Sequence, residues 1–571
     1  MKNLTEIIAS AKGDHAIDLL IKHGKLINVY SGEIYKTDIA IHGEYIVGIG
    51  GNYRAQEVLD ISGLFIMPGF IDSHVHIESS MVEVPQFARA VVPLGTTSVI
   101  ADPHEIANVF GYEGIRYMMD ASKYNPLNVY FMMPSCVPST AMDTAGSELR
   151  AFDIFPFLRE KWVLGLGEVM NFPGVLNGDK DILDKIKISS DKRIDGHAPG
   201  LTGMDLNAYV AAGIESDHEC TTADEALEKL RLGMHIMIRE GTGTKNLKDL
   251  LPMVTCENLR RCMFATDDRH PHDILNEGHI DFMIRTAIES GIDPVSAIRM
   301  ATLNSADYFG LRHLGALAPG KLADLAIVED LHKFKVKKVI KNGKLVAEDG
   351  KAIYELAERP PASIRGSVNI KWLEGDEFKI PANGSKCHVI GLIKNQIVTD
   401  LLIEEPLIKD GYIESDTKRD LLRCYVIERH HGSGRIGYGL VKGFGLRSGA
   451  IATTISHDSH NIVAVGDSDA DIFNAVKKLN KMGGGIAITN NTDAIRTLEL
   501  PIGGLMTSQP LEKVNEQLID LIEYAHHLGS TLSDPFMQLS FIALPVIPRL
   551  KLTDRGLVDV QQFKFISLFA E

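Results

Sequence analysis

The spacing of hydrophobic and polar positions changes character three times along the chain. Residues 17–66 carry short apolar runs broken by glycine and polar pairs, as in DLLIKHGKLINVYSGEIYKTDIAIHGEYIVGIGG, which predicts short strands joined by tight turns. From Phe65 to about Leu311 the repeating unit becomes a short, almost wholly apolar strand followed by an amphipathic stretch. Eight strands are read there: LFIMPGFIDSH, TTSVIAD, NVYFMM, WVLGLGEV, RIDGH, GIESDH, MHIMIRE and CMFATDD. Helices are predicted between them, for example at 82–94, 112–124, 202–212 and 221–233, with Thr202, Thr222 and the Asp293–Pro294 pair as start signals. Strands and helices alternating over roughly 240 residues have the rhythm of a (β/α)8 TIM-like barrel, with a doubly wound open sheet as the rival.

Residues 315–351 return to strands and glycine turns. The fold class expected is therefore α/β: a barrel over 67–311, flanked by a small β domain built from both sides of it (1–66 and 312–365). The stretch 358–386, with Pro360–Pro361 and PANGSK, reads as a boundary. Residues 380–571 then form a C-terminal α+β domain, with a helix at SDADIFNAVKKLNKM.

At 571 residues the chain is too long for one ordinary core, in keeping with several domains. Its net charge of −16 argues against a broad nucleic-acid or anionic-membrane surface and is silent about a small neutral substrate. The opening MKNLTEIIAS lacks an apolar run of signal-peptide length, and no charge-free stretch is long enough to span a bilayer. The six cysteines never form a CxxC pair, which fits a reducing compartment better than a disulfide framework. A cytoplasmic protein is expected, without membrane or nucleic-acid partners, and the common prior for soluble enzymes suggests a homodimer.

Candidate chemistry sits at the strand ends. His74 and His76 close the first barrel strand, where positions i and i+2 share a face and both imidazoles can reach one metal ion. An HxH pair alone is weak in a chain with 21 histidines, and a second one, His270 and His272, occurs. Position strengthens the first: this fold places catalytic groups at the C-terminal ends of its strands. Strand four ends in Glu168, strand five in His197, strand six in His218 and strand eight in Asp267. A carboxylate able to bridge, with two histidines on either side, suits two divalent metals a few Å apart.

FIDSHVHIESS, the DGHA and SDH strand ends, ATDD and the closing ATLNSADYFGL…GALAPGKLADLAIV resemble the amidohydrolase superfamily. ADPHEIANVFG (101–111), LGLGEVMNFPGV (164–175), GHAPGLTG (196–203) and ISHDSHN (455–461) resemble its bacterial adenine deaminases, over nearly the whole chain. The resemblance implies that His74, His76, Glu168 and Asp267 hold one metal and that Glu168, His197 and His218 hold the other. It also implies that Asp267 carries the proton. Two departures separate the chain from neighbouring groups. The bridge is Glu168 where hydantoinase-like members use a carboxylated lysine, the nearest lysine here being Lys161 before the strand. Gly200 stands where adenosine-deaminase-like members carry a ring-protonating glutamate.

The expected reaction is hydrolytic deamination of adenine to hypoxanthine and ammonia, in purine salvage, by a metal-activated hydroxide. The metals expected are two divalent ions, manganese or iron foremost, with zinc also suited to the ligand set. His104 and Glu105, just past strand two, and His457 and His460 in the C-terminal SHDSHN are candidates for substrate binding or ring protonation. A cyclic amide or ureide hydrolase and a non-catalytic barrel scaffold are the alternatives.

Overall fold

The computed structural model describes residues 3–356, 364, 366–394, 396–490 and 494–570. The Pro360–Pro361 pair lies outside the described residues. Strands β1 (Ile17–Asn28), β2 (Glu33–His42), β3 (Tyr45–Ile49), β4 (Ala55–Asp60) and β5 (Phe65–Pro68) precede the central unit. That unit holds β6 (Phe70–Val75), β7 (Thr96–Ala101), β8 (Asn128–Met133), β9 (Val163–Val169), β10 (Arg193–Gly196), β11 (Ser216–Asp217), β12 (His235–Arg239) and β13 (Cys262–Ala265). Strands β14 (Leu325–Val328), β15 (Val336–Lys341), β16 (Lys344–Glu348) and β17 (Lys351–Ala352) follow it.

The segments before and after the central unit share one nine-stranded sheet, in the order β17-β16-β15-β14-β5-β1-β2-β3 with β4 also on β1. Strand β5 joins the halves, parallel to β1 and antiparallel to β14, with Phe65 opposite Val328 and Pro68 opposite Leu325. Ile21, Leu26, Ile39, Ile41, Ile66, Leu325, Ile327 and Ile340 bury their side chains in one cluster, so neither half would keep its apolar face dry alone.

Strands β6–β10 form one parallel sheet and β11–β13 another, each in sequence order. Every residue of β6 and β7 is buried, the signature of strands covered on both faces. Two links curl the sheets towards each other. The Glu215 amide donates to the Ile194 carbonyl (2.9 Å) beside β10. At the other seam the Asp267 amide donates to the His74 carbonyl (3.0 Å), and the His76 amide to the Asp267 carbonyl (3.3 Å). Below this seam Asp72 accepts from the Thr266 amide at 3.1 Å, so a buried carboxylate braces β6 against β13.

Helices fill the intervals, including Val84–Val91, Tyr112–Ala121, Gly203–Ala211 and Ala223–Arg231. Thr222 and Asp293 cap their helices through the amides of Glu225 and Ser296. Thr202 precedes its helix but makes no side-chain cap; instead Glu228 from the next helix accepts the Gly203 amide at 2.8 Å. The orphan amide of the helix start is satisfied across two elements rather than by its local residue.

The C-terminal unit has an eight-stranded sheet running from Cys387–Leu392 to Ala494–Glu499, with helices at Asp469–Met482, Leu511–His527 and Pro535–Ile542. The turn between its strands Ala450–Thr453 and Ile462–Gly466 carries SHDSHN onto the central unit. There Asn461 donates to the Thr144 carbonyl (2.8 Å), Thr144 donates to Asp554 (2.7 Å from its hydroxyl), and Ser459 donates to Asp143. The Glu83 amide donates to the Thr507 carbonyl at 3.0 Å. No helix of the described residues is long and apolar enough to cross a membrane.

Strand β11 has only two residues and is fixed from outside. The buried Lys229 ammonium contacts Asp217, donates to Glu225 at 2.9 Å and to the Ala198 carbonyl at 2.8 Å. Burial opposes charge on Asp217, yet the Lys229 ammonium holds its carboxyl down at about 2. Its contribution is complete above an unfolded value of about 3.9 and is lost as pH falls towards 2. Lys229→Met strands this carboxylate, and urea denaturation of the chelator-treated protein is expected to show a loss of about 3–5 kcal/mol at neutral pH. A loss under about 1 kcal/mol would remove the pair from the account.

Candidate active site

The cluster begins at the end of β6. His74 and His76 leave the strand on one face, and their Nε2 atoms stand 3.1 Å apart. The His76 ring is oriented by backbone: its Nδ1 donates to the Asp102 carbonyl just past β7, at 2.9 Å. A carbonyl can only accept, so Nδ1 carries a proton, and in the neutral form of the ring that ligates metals Nε2 presents a lone pair. That lone pair faces Glu168 Oε1 and Asp267 Oδ1, each 3.2 Å away.

Glu168 lies at the end of β9 with its carboxylate at the middle of the cluster. Oε1 is 3.2 Å from His76, 3.3 Å from His104 Nδ1 and 3.7 Å from His74 Nε2. Oε2 is 2.5 Å from His197 Nδ1 and 3.3 Å from His218 Nε2. His74 and His218 stack at 4.2 Å, which closes the ring of ligand-type residues. Lys161 sits on the Trp162 ring at the opposite end of β9.

Asp267 follows β13 with φ +55, a left-handed conformation that aspartate adopts more readily than most residues. Its Oδ1 is 3.5 Å from His74 Nε2, and its Oδ2 accepts from Arg239 at 3.0 Å. Arg239, the last residue of β12, also holds Glu219, whose Oε1 is 3.6 Å from His218 Nε2. Burial opposes charge on both acids. His197 and His218 nonetheless hold Glu168 well below the usual carboxylate range, and His74 and Arg239 do the same for Asp267.

The residues present fit divalent cations. Oε1 of Glu168 is buried without a hydrogen-bond donor, and the His76 lone pair points at two carboxylate oxygens. Like-signed electron density at that separation calls for a cation between the groups. Ligand atoms of three combinations, His74–His76–Glu168, His74–His218–Asp267 and Glu168–His197–His218, lie within 4.8 Å of one another.

Beside this cluster, Glu105 meets two histidines of the C-terminal unit. Its Oε1 is 2.6 Å from His457 Nδ1, and Oε2 contacts His460 Nε2. His104 Nε2 is 3.6 Å from Glu105, so its ring stands between Glu105 and Glu168. A cavity there is lined by Glu78, Glu105, His270, His457, His460 and Leu505. All six predicted metal-ligating residues thus converge, and the four further candidates gather beside them. The second HxH pair separates: His270 lines the cavity while His272 is exposed, because this stretch enters a helix, where i and i+2 diverge.

Several members of the site carry no strong sequence signal. Glu78 is buried and pushed up to about 7 by that burial. Asp102 supplies the carbonyl for His76, and Glu219 and Arg239 orient Asp267 and His218. Glu219 directly follows a strand-end histidine and Arg239 ends β12, so position alone could have flagged both.

Comparisons with known proteins agree with this arrangement. Residues 65–346 match the amidohydrolase family, and residues 396–564 match the adenine deaminase C-terminal domain. A protein of Desulfatibacillum aliphaticivorans named adenine deaminase is 51% identical over 566 residues, 99% of either chain. Adenine deaminase 2 of Carboxydothermus hydrogenoformans is 47% identical over the full length of both chains. The adenine deaminase of Methanothrix thermoacetophila is 48% identical, again over all of each. On these matches the chain belongs to the amidohydrolase family, within the group of adenine deaminases that carry this C-terminal domain.

Proposed function

We propose that this chain hydrolyses adenine to hypoxanthine and ammonia, in the recovery of purine bases, within a closed (β/α)8 barrel holding two divalent cations. The observation that carries the reading is the full-length similarity to adenine deaminases, which extends through the C-terminal unit that lines the cavity. His74, His76, Glu168 and Asp267 would hold one cation, and Glu168, His197 and His218 the other, manganese or iron foremost. When bound, such a pair lowers the pKa of a shared water towards neutrality and so supplies the nucleophile.

The chain's own residues do the rest. Water adds to the ring carbon that bears the exocyclic amine. Asp267, turned by Arg239, takes a proton from that water and passes it to the amine, which departs as ammonia. His104, Glu105, His457 and His460 stand on the substrate side, where a donor among them hydrogen-bonded to the purine ring would offset charge developing on its nitrogens. The direct test is ammonia release from adenine, adenosine, guanine and cytosine by manganese-loaded and chelator-treated protein. Release from adenine alone, abolished by chelation, is expected, and release from none of them would overturn the reading.

Glu168→Gln replaces a bridging carboxylate with a neutral amide. Metal analysis is expected to fall from about two ions per chain in the parent, with both weakened in the variant. Full occupancy at full rate in Glu168→Gln would refute the bridge.

Asp267→Asn keeps shape and one oxygen ligand but loses basicity. Turnover is expected to fall at least about 10²-fold with most of the metal retained, and KM to change less than kcat. The parent's acidic limb in the pH–rate profile should shift or vanish in this variant. Normal turnover with an unshifted profile would move the proton carrier elsewhere.

A further inference from the structure

We propose that His457, contributed by the C-terminal unit, is the acid that protonates the purine ring, with Glu105 as its anchor and His460 as the anchor's support. The assignment rests on the deaminase reading above and goes further by separating three residues that the sequence leaves equivalent.

Donors and acceptors distinguish the three residues. His460 Nδ1 accepts the Ser456 amide at 3.1 Å, so the proton of its neutral ring is on Nε2, where it is donated to Glu105. Both nitrogens of His460 are occupied, which leaves it a positioning residue. Glu105 is buried, with one oxygen against His460 and the other 2.6 Å from His457 Nδ1. Against the opposing effect of burial, the two imidazoles hold its carboxyl well below the usual carboxylate range, so it carries no proton to give a purine ring. His457 spends Nδ1 on Glu105 and stacks one face on Phe541 at 4.8 Å. Its Nε2 makes no hydrogen bond among the described residues, and its side chain lines the cavity. A carboxylate on Nδ1 fixes the ring orientation and raises the basicity of Nε2, the arrangement by which imidazoles move protons.

The segment past β10 offers no acid at Gly200. Gly200 has φ +69, and nothing lies within 4 Å of where its Cβ would be. The C-terminal unit brings His457 to the cavity wall beside Glu105. From there His104 bridges to the cluster, with Nε2 3.6 Å from Glu105 and Nδ1 3.3 Å from Glu168.

The groups around His457 are Glu105 and Asp458 (3.9 Å from its Nδ1), Asp268 acting by charge, His460 at 5.8 Å between ring centres, and the Phe541 face. Glu78 and His270 line the same cavity. Burial disfavours the imidazolium, but the Glu105 charge outweighs it and carries His457 up to about 9.

The protons balance. His457 gives its Nε2 proton to the ring nitrogen next to the attacked carbon as the C–O bond forms, and that proton stays on the product lactam. Asp267 moves the first proton of water to the amine, and the C–N bond breaks to release ammonia. The remaining proton of water leaves the new hydroxyl as it becomes a carbonyl and restores His457.

The test uses full-length, manganese-loaded protein with adenine. His457→Gln and His457→Ala are expected to lose at least about 10²-fold in kcat with unchanged metal content and little change in KM. Added imidazole should restore part of the rate to His457→Ala and none to His457→Gln. The parent's alkaline limb, near pH 9, should disappear in both variants and move to lower pH in Glu105→Gln, which keeps the ring but removes its anchoring charge. Variants within about threefold of the parent, or a loss with neither imidazole rescue nor a displaced limb, would overturn the assignment of His457 alone. A parent silent on adenine would overturn the deaminase reading and this assignment with it.

Discussion

Burying the Glu168 carboxylate at the mouth of a curled parallel sheet costs several kcal/mol unless cationic or donor groups meet both oxygens. The rest of the site is arranged around that demand. His197 and His218 meet one oxygen from β10 and β11, while His76 and His104 meet the other from β6 and the segment past β7. Five strand ends must therefore hold register at once, and the buried braces beneath them serve that requirement. Asp72 ties Thr266 to β6, and Lys229 holds Asp217 in a strand of only two residues. The proposed cations would complete the compensation that imidazoles alone leave partial, because the His76 lone pair and the undonated Glu168 oxygen face each other.

The C-terminal unit is joined to this centre by polar contacts rather than by a purely apolar seam. Arg429, fully buried and without a carboxylate in hydrogen-bond contact among the described residues, donates to the carbonyls of Ser367 and Gly503 and contacts that of His460. Burial lowers its guanidinium to about 9 against the favourable charge of Glu428, and the three carbonyls take up its N–H groups. The turn they hold is the one that presents His457 and His460 to Glu105. Ser459 and Asn461 of the same turn clasp Asp143 and Thr144 in the loop after β8. Stability and catalysis are thus coupled through one six-residue segment, and the central unit alone would present Glu105 with neither imidazole.

Much of this was legible in the sequence, for physical reasons that can be named. Strands buried on both faces announce themselves as apolar runs, and β6, β9, β10 and β13 run out into residues able to ligate a metal, which declared their site residues. The partners of those residues did not. The Asp102 carbonyl that sets the His76 tautomer is backbone and carries no side-chain signal. The cap of Gly203 comes from Glu228 on another helix, so Thr202 suggested a local bond that the chain does not make. SHDSHN read as unusual but without roles, because the difference between His457 and His460 lies in the Ser456 amide and in Phe541, which only the folded chain brings into place.

Glu168 is proposed to join two cations at the mouth of the curled sheets. Anomalous diffraction from crystals grown with manganese, recorded on both sides of the manganese absorption edge, tests it most directly. The account predicts two peaks flanking the Glu168 carboxylate, one against His74, His76 and Asp267 and the other against His197 and His218. A single peak, or two peaks that Glu168 does not touch, would contradict it.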